Sequence, residues 1–289
     1  MGTWLKSREL ADHISETIIR RVNEWKHQGV QPAIATILVQ GDPASEYYAK
    51  AKEKLARKLG VQYHLMVFPA EISEEQLMEI VEVLNNDKNI HGIMLELPMP
   101  KHISVNKLSN TISPVKDVDG ISAVNKLACL TGETGLYPAT PQSCVRILQH
   151  YGYPLQGKHV VLVGRGETVG RPLMQLLLRE NATVTVCHSH TTDLAGHIAK
   201  ADILITAAGR KGLISPAMVH PSLVVIDAGI NETEDGITGD VDRDVFEAVE
   251  AVTPVPGGVG TLTTVLLFEN VLKAMELQHI TGGEPHEHI

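Results

Sequence analysis

The stretch KHVVLVGRGETVGRPLMQLLLREN, residues 158–181, passes from an apolar β-branched run through a glycine-rich turn into helical spacing of leucines. The run reads as a buried strand and the leucine spacing as a helix that opens near Thr168. Glycines at 164, 166 and 170 let the backbone turn sharply and approach a phosphate, and a helix N-terminus favours an anion. The spacing is Gly-x-Gly-x-x-x-Gly, one residue longer than the usual dinucleotide fingerprint. By itself it leaves open a purely structural strand-to-helix turn. Three more apolar runs follow: ATVTVCHS (182–189), ADILITAAG (201–209) and SLVVIDAGIN (222–231). Strands alternating with helices imply a parallel sheet of Rossmann type in this half.

The first half repeats the order of elements without a sequence repeat. PAIATILVQG (32–41), VQYHLMVFP (61–69) and IHGIMLELPMP (90–100) read as strands. Between them, GDPASEYYAKAKEKL (41–55) and SEEQLMEIVEVLNND (73–87) read as helices. The opening MGTWLKSRELADHISETI reads as one amphipathic helix without a hydrophobic signal core. Residues 101–141 read as irregular and too apolar for simple disorder. A domain boundary is expected near 141, at the prolines of PATP, with QSCVRILQHYG (142–152) as a linker helix. TPVPGGVGTLTTVLLFENVLKAMELQ (253–278) reads as a proline- and glycine-rich loop followed by a helix of about twenty residues. The expected fold class is therefore α/β, with two parallel-sheet domains.

Composition narrows the function classes. The chain has 289 residues, with 43% apolar and 20% charged, enough for two domains with sizeable cores. Net charge is −9 with no basic tract, so nucleic acid and anionic membranes are not expected partners. No apolar run reaches the roughly 18 residues of a membrane span. Cys129, Cys144 and Cys187 have neither metal spacing nor the number for a disulfide framework, which suggests a reducing cytoplasm and no metal. The HEH at 286–288 reads as a frayed end.

Two groups of residues raise chemical questions. Tyr48 and Lys52 are four apart, so they share one face of their helix, either as a surface pair or as working groups. After the second Rossmann strand, an acid would bind a ribose 2′-hydroxyl. Cys187, His188, Ser189 and His190 stand there instead. Arg165 and Ser189 would hold a 2′-phosphate, which favours NADP; alternatively Ser189 caps the following turn.

Several segments together resemble the methylenetetrahydrofolate dehydrogenase/methenyltetrahydrofolate cyclohydrolase family over nearly the whole chain. They are ASEYYAKAK (44–52), LELPMP (95–100), KDVDG (116–120), YPATP (137–141), VGRGETVGRP (163–172), TVCHSHT (185–191), VVIDAGIN (224–231), GDVD (239–242) and TPVPGGVGTLT (253–263). The resemblance implies two α/β domains with a cleft between them, the second Rossmann-like and NADP-binding. The expected division is 1–141 plus 263–289 for folate and 142–262 for NADP. It implies oxidation of 5,10-methylenetetrahydrofolate and hydrolysis of the product to 10-formyltetrahydrofolate. The chain is then a cytoplasmic homodimer in one-carbon metabolism and purine biosynthesis. Tyr48 would stack on the aminobenzoyl ring, Lys52 would act in proton transfer, and Asp119 would hold the pterin, unless it is a plain turn acid. Asp117 would shape the turn. Pro256, Gly257 and Gly258 would approach the substrate. Thr140, Gly164, Arg165, Gly166, Ser189, Gly229, Ile230 and Thr263 would line the cofactor.

The chain departs from the family pattern at five places. Glu96 stands for the Gln that neighbours the catalytic Lys, Gly166 for a Ser, Ser143 for a Gly, and Thr261 and Lys211 each for a Pro. Glu96 counts among the catalytic candidates. An acid beside Lys52 would favour the charged lysine and weaken it as a base, or would itself become the base. These departures keep two further readings open: a paralogue with dehydrogenase activity only, and a non-catalytic nucleotide- or folate-binding protein.

Overall fold

The computed structural model describes residues 2–233 and 236–282, so the HEH tail lies outside the described residues. In chain order the elements are β1 (Thr3–Trp4), α1 (Arg8–His27), β2 (Ala33–Val39), α2 (Pro43–Leu59), β3 (Gln62–Phe68), α3 (Glu74–Asn86) and β4 (Gly92–Leu95). Then come α4 (Val105–Thr111), α5 (Ala123–Thr131), α6 (Ala139–His150), β5 (His159–Val163), α7 (Gly170–Arg179), β6 (Thr183–Cys187), α8 (Leu194–Ile198) and β7 (Ile203–Thr206). The chain closes with β8 (Val224–Asp227), the hairpin β9 (Asn231–Thr233) and β10 (Gly236–Thr238), β11 (Ala251–Val252) and α9 (Val259–Gly282).

Two compact units result: Met1–His13 with Pro138–Leu266, and Ile14–Tyr137 with Leu267–Ile289. The first holds a six-stranded sheet, β1-β11-β8-β7-β5-β6, whose pairs are all parallel. The second holds a three-stranded parallel sheet, β3-β2-β4. The expected division put residues 1–13 with the other unit. They group here because Thr3 and Trp4 pair with Ala251 and Val252 as an edge strand. Helix α1 accordingly begins at Arg8, later than the opening segment suggested. The stretch 101–141, expected to be irregular, carries α4, α5 and the start of α6. Ser104 and Ser122 cap α4 and α5, and these short helices lack the long periodicity that marks a helix in sequence.

In the three-stranded unit every residue of β2 is buried, as a central parallel strand covered on both faces requires. Ala35, Ile37, Ile93 and Leu95 pack with Leu77, Val81 and Leu84 of α3 and with Leu108 of α4. Helix α2 covers the other face. Asp42 caps it, accepting from Ser45 N at 3.0 Å, Pro43 opens it, and Gly60 closes it with φ +78°. The buried Lys116 ammonium donates to Leu84 O (3.0 Å) and Asp87 O (2.8 Å), satisfying carbonyls at the end of α3.

Candidate functional site

Helix α2 fixes the first group of residues. Tyr48 and Lys52 lie one turn apart, and Tyr47 meets Tyr48 edge-on at 5.9 Å between ring centres. Lys52 is not a surface lysine. Its Nζ lies 2.7 and 2.8 Å from the two carboxylate oxygens of Glu96, whose side chain is only 6% exposed. Glu96 follows β4 directly, and its backbone amide donates to Ile37 O at 2.9 Å. Register explains the encounter. Met94 pairs with Thr36, so Met94 and Glu96 point to the face of the sheet opposite Ile93 and Leu95. That is the face α2 covers.

Asp119 completes the group. It is half-buried, and loss of water pushes its carboxyl up to about 7. The Lys52 ammonium opposes this rise, and the Asp117 and Glu96 charges add to it. Tyr48, Lys52, Glu96 and Asp119 therefore belong to one unit, and the last three are in electrostatic contact. Asp117 does shape the turn: it accepts from Ile121 N (3.2 Å), Ser122 N (2.8 Å) and Asn125 Nδ2 (2.9 Å). Sequence reasoning missed Thr36 and Tyr63, which share this sheet face. The period-two alternation of β2 and β3 carried that signal.

The second group lies at the carboxyl ends of β5, β6 and β8 in the six-stranded unit, where open α/β sheets bind ligands. Gly164 has φ +120°, and a Cβ there would lie 2.2 Å from Ala207 O, so only glycine fits. Around Gly166 a Cβ would meet nothing within 4 Å. Helix α7 starts at Gly170, later than Thr168, and no side chain caps its N-terminus. Arg165 and Ser189 are both exposed and leave the sheet side by side, since Val163 pairs with Cys187. The turn carrying Ser189 is fastened by its neighbours: the His188 amide donates to Thr191 Oγ1 (2.9 Å) and the His190 amide to His188 Nδ1 (3.2 Å). An exposed guanidinium, an uncapped helix start and the lack of an acid after β6 fit a dinucleotide with a 2′-phosphate.

Behind Gly229 two acids knit the loops together. Asp227 accepts from the amides of Gly229 (2.9 Å), Asp240 (3.0 Å) and Val241 (3.0 Å) and from Thr206 Oγ1 (3.1 Å). Asp240 accepts from the amides of Ala208 (2.7 Å), Gly209 (3.2 Å) and Arg210 (2.7 Å). A Cβ on Gly229 would lie 2.3 Å from the Asp240 carboxylate, so the loop leaves Ile230 exposed and Gly229 bare. Burial pushes Asp227 up to about 6, partly offset by the amides it accepts from.

The loop at Pro256, Gly257 and Gly258 belongs to this unit too. Gly257 has φ +109°. The loop is stapled by Ser7, a residue that sequence reasoning missed. Ser7 Oγ donates to Gly258 O at 2.6 Å, and Ser7 N donates to Gly257 O at 3.1 Å. Thr263 meets Thr140 (3.4 Å) and Ser143 (3.2 Å) through hydroxyls.

Comparisons with known proteins agree over nearly the whole chain. Residues 5–119 match the tetrahydrofolate dehydrogenase/cyclohydrolase catalytic domain, and residues 138–279 match the NAD(P)-binding domain of the same family. The bifunctional protein FolD 2 of Desulfitobacterium hafniense is 48% identical, over 98% of this chain and all of its own. The bifunctional dehydrogenase/cyclohydrolase FolD of Campylobacter jejuni superposes with a TM-score of 0.93 at 36% identity, covering 96% of this chain and all of that one. The Trypanosoma brucei enzyme, solved with NADP and an inhibitor, gives 0.90 at 31% identity, covering 96% of this chain and 98% of that one.

Proposed function

Because the chain belongs to the tetrahydrofolate dehydrogenase/cyclohydrolase family, we infer that it oxidises 5,10-methylenetetrahydrofolate with NADP and hydrolyses the methenyl product to 10-formyltetrahydrofolate. The observation that carries this reading is the Lys52–Glu96 pair beside Asp119 and Tyr48, in a chain whose other unit has an NAD(P)-binding fold.

When bound, NADP supplies the hydride acceptor. Arg165 and Ser189 would hold its 2′-phosphate, and Gly164, Gly166 and the start of α7 its pyrophosphate. Gly229, Ile230, Thr140 and Thr263 would line the nicotinamide end. On the folate side, Tyr48 would stack on the aminobenzoyl ring and Asp119 would bond the pterin. Pro256, Gly257 and Gly258 would let the backbone approach the rings. Oxidation is driven by a folate nitrogen lone pair and mainly needs two rings held face to face. Hydrolysis needs more. Water adds to the methenyl carbon and one of its protons passes to a base; the bond to N5 then breaks with its electron pair returning to N5, which takes up the remaining hydroxyl proton as the formyl C=O forms. Lys52 is the group placed to take that proton, and Glu96 is its regulator.

The finer reading is a cytoplasmic homodimer that supplies formyl groups to purine biosynthesis. It rests on the family, and on the fact that no described helix is long and apolar enough to cross a membrane. Light scattering that returns a single-chain mass would remove the dimer. The function itself is tested by assaying both half-reactions with each nicotinamide cofactor. NADP should bind more tightly than NAD, since an Arg–phosphate contact contributes about 1.5–3 kcal/mol. Equal or tighter NAD binding refutes the cofactor assignment, and absence of both half-reactions refutes the function.

A further inference from the structure

Ser143 carries a buried hydroxyl that the mechanism above does not use. It sits in the second turn of α6 and is fully buried. Its Oγ donates to Ala139 O at 2.9 Å, the back-bond that a helical serine makes to the carbonyl four residues earlier. The same oxygen also reaches across to α9, where Thr263 Oγ1 lies 3.2 Å away. Thr263 in turn reaches Val259 O at 3.0 Å and Thr140 Oγ1 at 3.4 Å. All of these residues belong to the six-stranded unit. Thr140 and Ser143 are three apart on α6, so they share one side of that helix.

The back-bond alone gives no reason for a serine here. In a helix interior it slightly destabilises, and alanine would fill the space as the better helix former. What the hydroxyl adds is the contact with Thr263. A helical threonine divides between two χ1 rotamers, because its hydroxyl can bond a carbonyl of the preceding turn. An anchor on α6 favours the one rotamer that keeps Oγ1 near Thr140. A hydroxyl carries one proton and two acceptor sites. Ser143, donating to Ala139 O, keeps its oxygen open to accept from Thr263. Without Ser143, Thr263 is left with its own helix and the longest contact of the set.

We propose that Ser143 is a positioning residue for the cofactor: through Thr263 it holds the Thr140–Thr263 hydroxyl pair in place to receive the carboxamide of the nicotinamide. On that ring the carboxamide is the one group with hydrogen-bond donors and an acceptor, so it is what hydroxyls can orient. The 2′-phosphate end of the cofactor is held elsewhere, by Arg165 and Ser189, and is indifferent to Ser143. This inference rests on the NADP reading above, in which Thr140 and Thr263 line the nicotinamide end.

The test is Ser143→Ala, which removes one buried oxygen, read by titration with two probes. NADP carries the nicotinamide; adenosine 2′,5′-bisphosphate lacks it and retains the 2′-phosphate. The expected result is about fivefold weaker binding of NADP, with the affinity for the bisphosphate held within about twofold. The thermal midpoint of the ligand-free variant should equal or exceed that of the wild type, since alanine suits a helix better. Thr263→Val should give the same split between probes by itself, and adding Ser143→Ala to it should change nothing further. Parallel weakening of both probes marks Ser143 as a packing residue and overturns the proposal. Unchanged NADP affinity, or a loss that persists in full in the Thr263→Val background, overturns it too. A wild-type protein that binds neither probe overturns the NADP reading and this inference with it.

Discussion

At the scale of single residues, the hydrolytic reading turns on Glu96. Its two oxygens hold the Lys52 ammonium at 2.7 and 2.8 Å with little access to water. With both oxygens on the Lys52 Nζ, the carboxylate competes with water for that amine and so restrains the group that hydrolysis needs. Glu96→Gln should therefore raise cyclohydrolase activity and leave dehydrogenase activity roughly unchanged. If Glu96 is itself the base, the same variant lowers hydrolysis, and assays of both half-reactions separate the cases. Asp119 makes a second residue-level prediction. Asp119→Ala should abolish folate turnover while NADP titration gives an unaltered affinity, since a pterin left without its partner costs on the order of 1–3 kcal/mol or more. Loss of cofactor binding, or of the fold, would instead mark Asp119 as a turn residue.

At the scale of elements, the loop before α9 depends on a strand and a serine from the other end of the sequence. Edge strand β1 delivers Ser7, whose hydroxyl and amide both donate to carbonyls of the Gly257–Gly258 turn. A Cβ on Gly258 would lie 2.6 Å from Pro254 O, so the turn is tight and the serine holds it in that form. Ser7→Ala should cost about 1–2 kcal/mol of stability, the range for a buried hydrogen bond. It should also raise KM for folate or cofactor several-fold more than it lowers kcat. Denaturant unfolding and steady-state kinetics check this, and a variant indistinguishable from wild type in both would show that the staple is idle.

At the scale of the whole molecule, two carboxyls shape the response to pH. Burial raises Asp119 to about 7 and Asp227 to about 6, both above the usual carboxylate range. The folded state then binds protons that the unfolded chain has released. The stability these two groups contribute is full below about pH 4, falls as pH rises through about 6 and 7, and is flat beyond. The fall should be on the order of 3 kcal/mol per group. Urea unfolding from pH 3 to pH 8 measures it. Asp119→Asn should flatten part of the slope, and an Asn variant with the wild-type slope would contradict the assignment.

Local sequence by itself determined most of the elements. The apolar runs of β2, β3 and β5 to β8, the cap Asp42 of α2, the cap Ser73 of α3, whose side chain accepts from Gln76 N, and the glycines at 164 and 170 each encode their structure within a few residues, because propensity, capping and backbone sterics are short-range. The family was legible for the same reason, since its motifs are contiguous, and they also pointed to Tyr48, Lys52 and Asp119. Short elements with weak periodicity, such as α4 and α5, were not legible, and neither was the strand at Thr3–Trp4, which exists only through its pairing with β11. Tertiary structure alone decided what touches what. Lys52 and Glu96 are 44 residues apart in sequence, and Ser7 and Gly258 are 251 apart. Their contacts depend on strand register and sheet order, which no local pattern specifies. Tyr63 and Thr36 show the same limit: alternation assigns each to one face of its strand, but only the parallel pairing of β2, β3 and β4 puts both hydroxyls on the face where Glu96 meets Lys52.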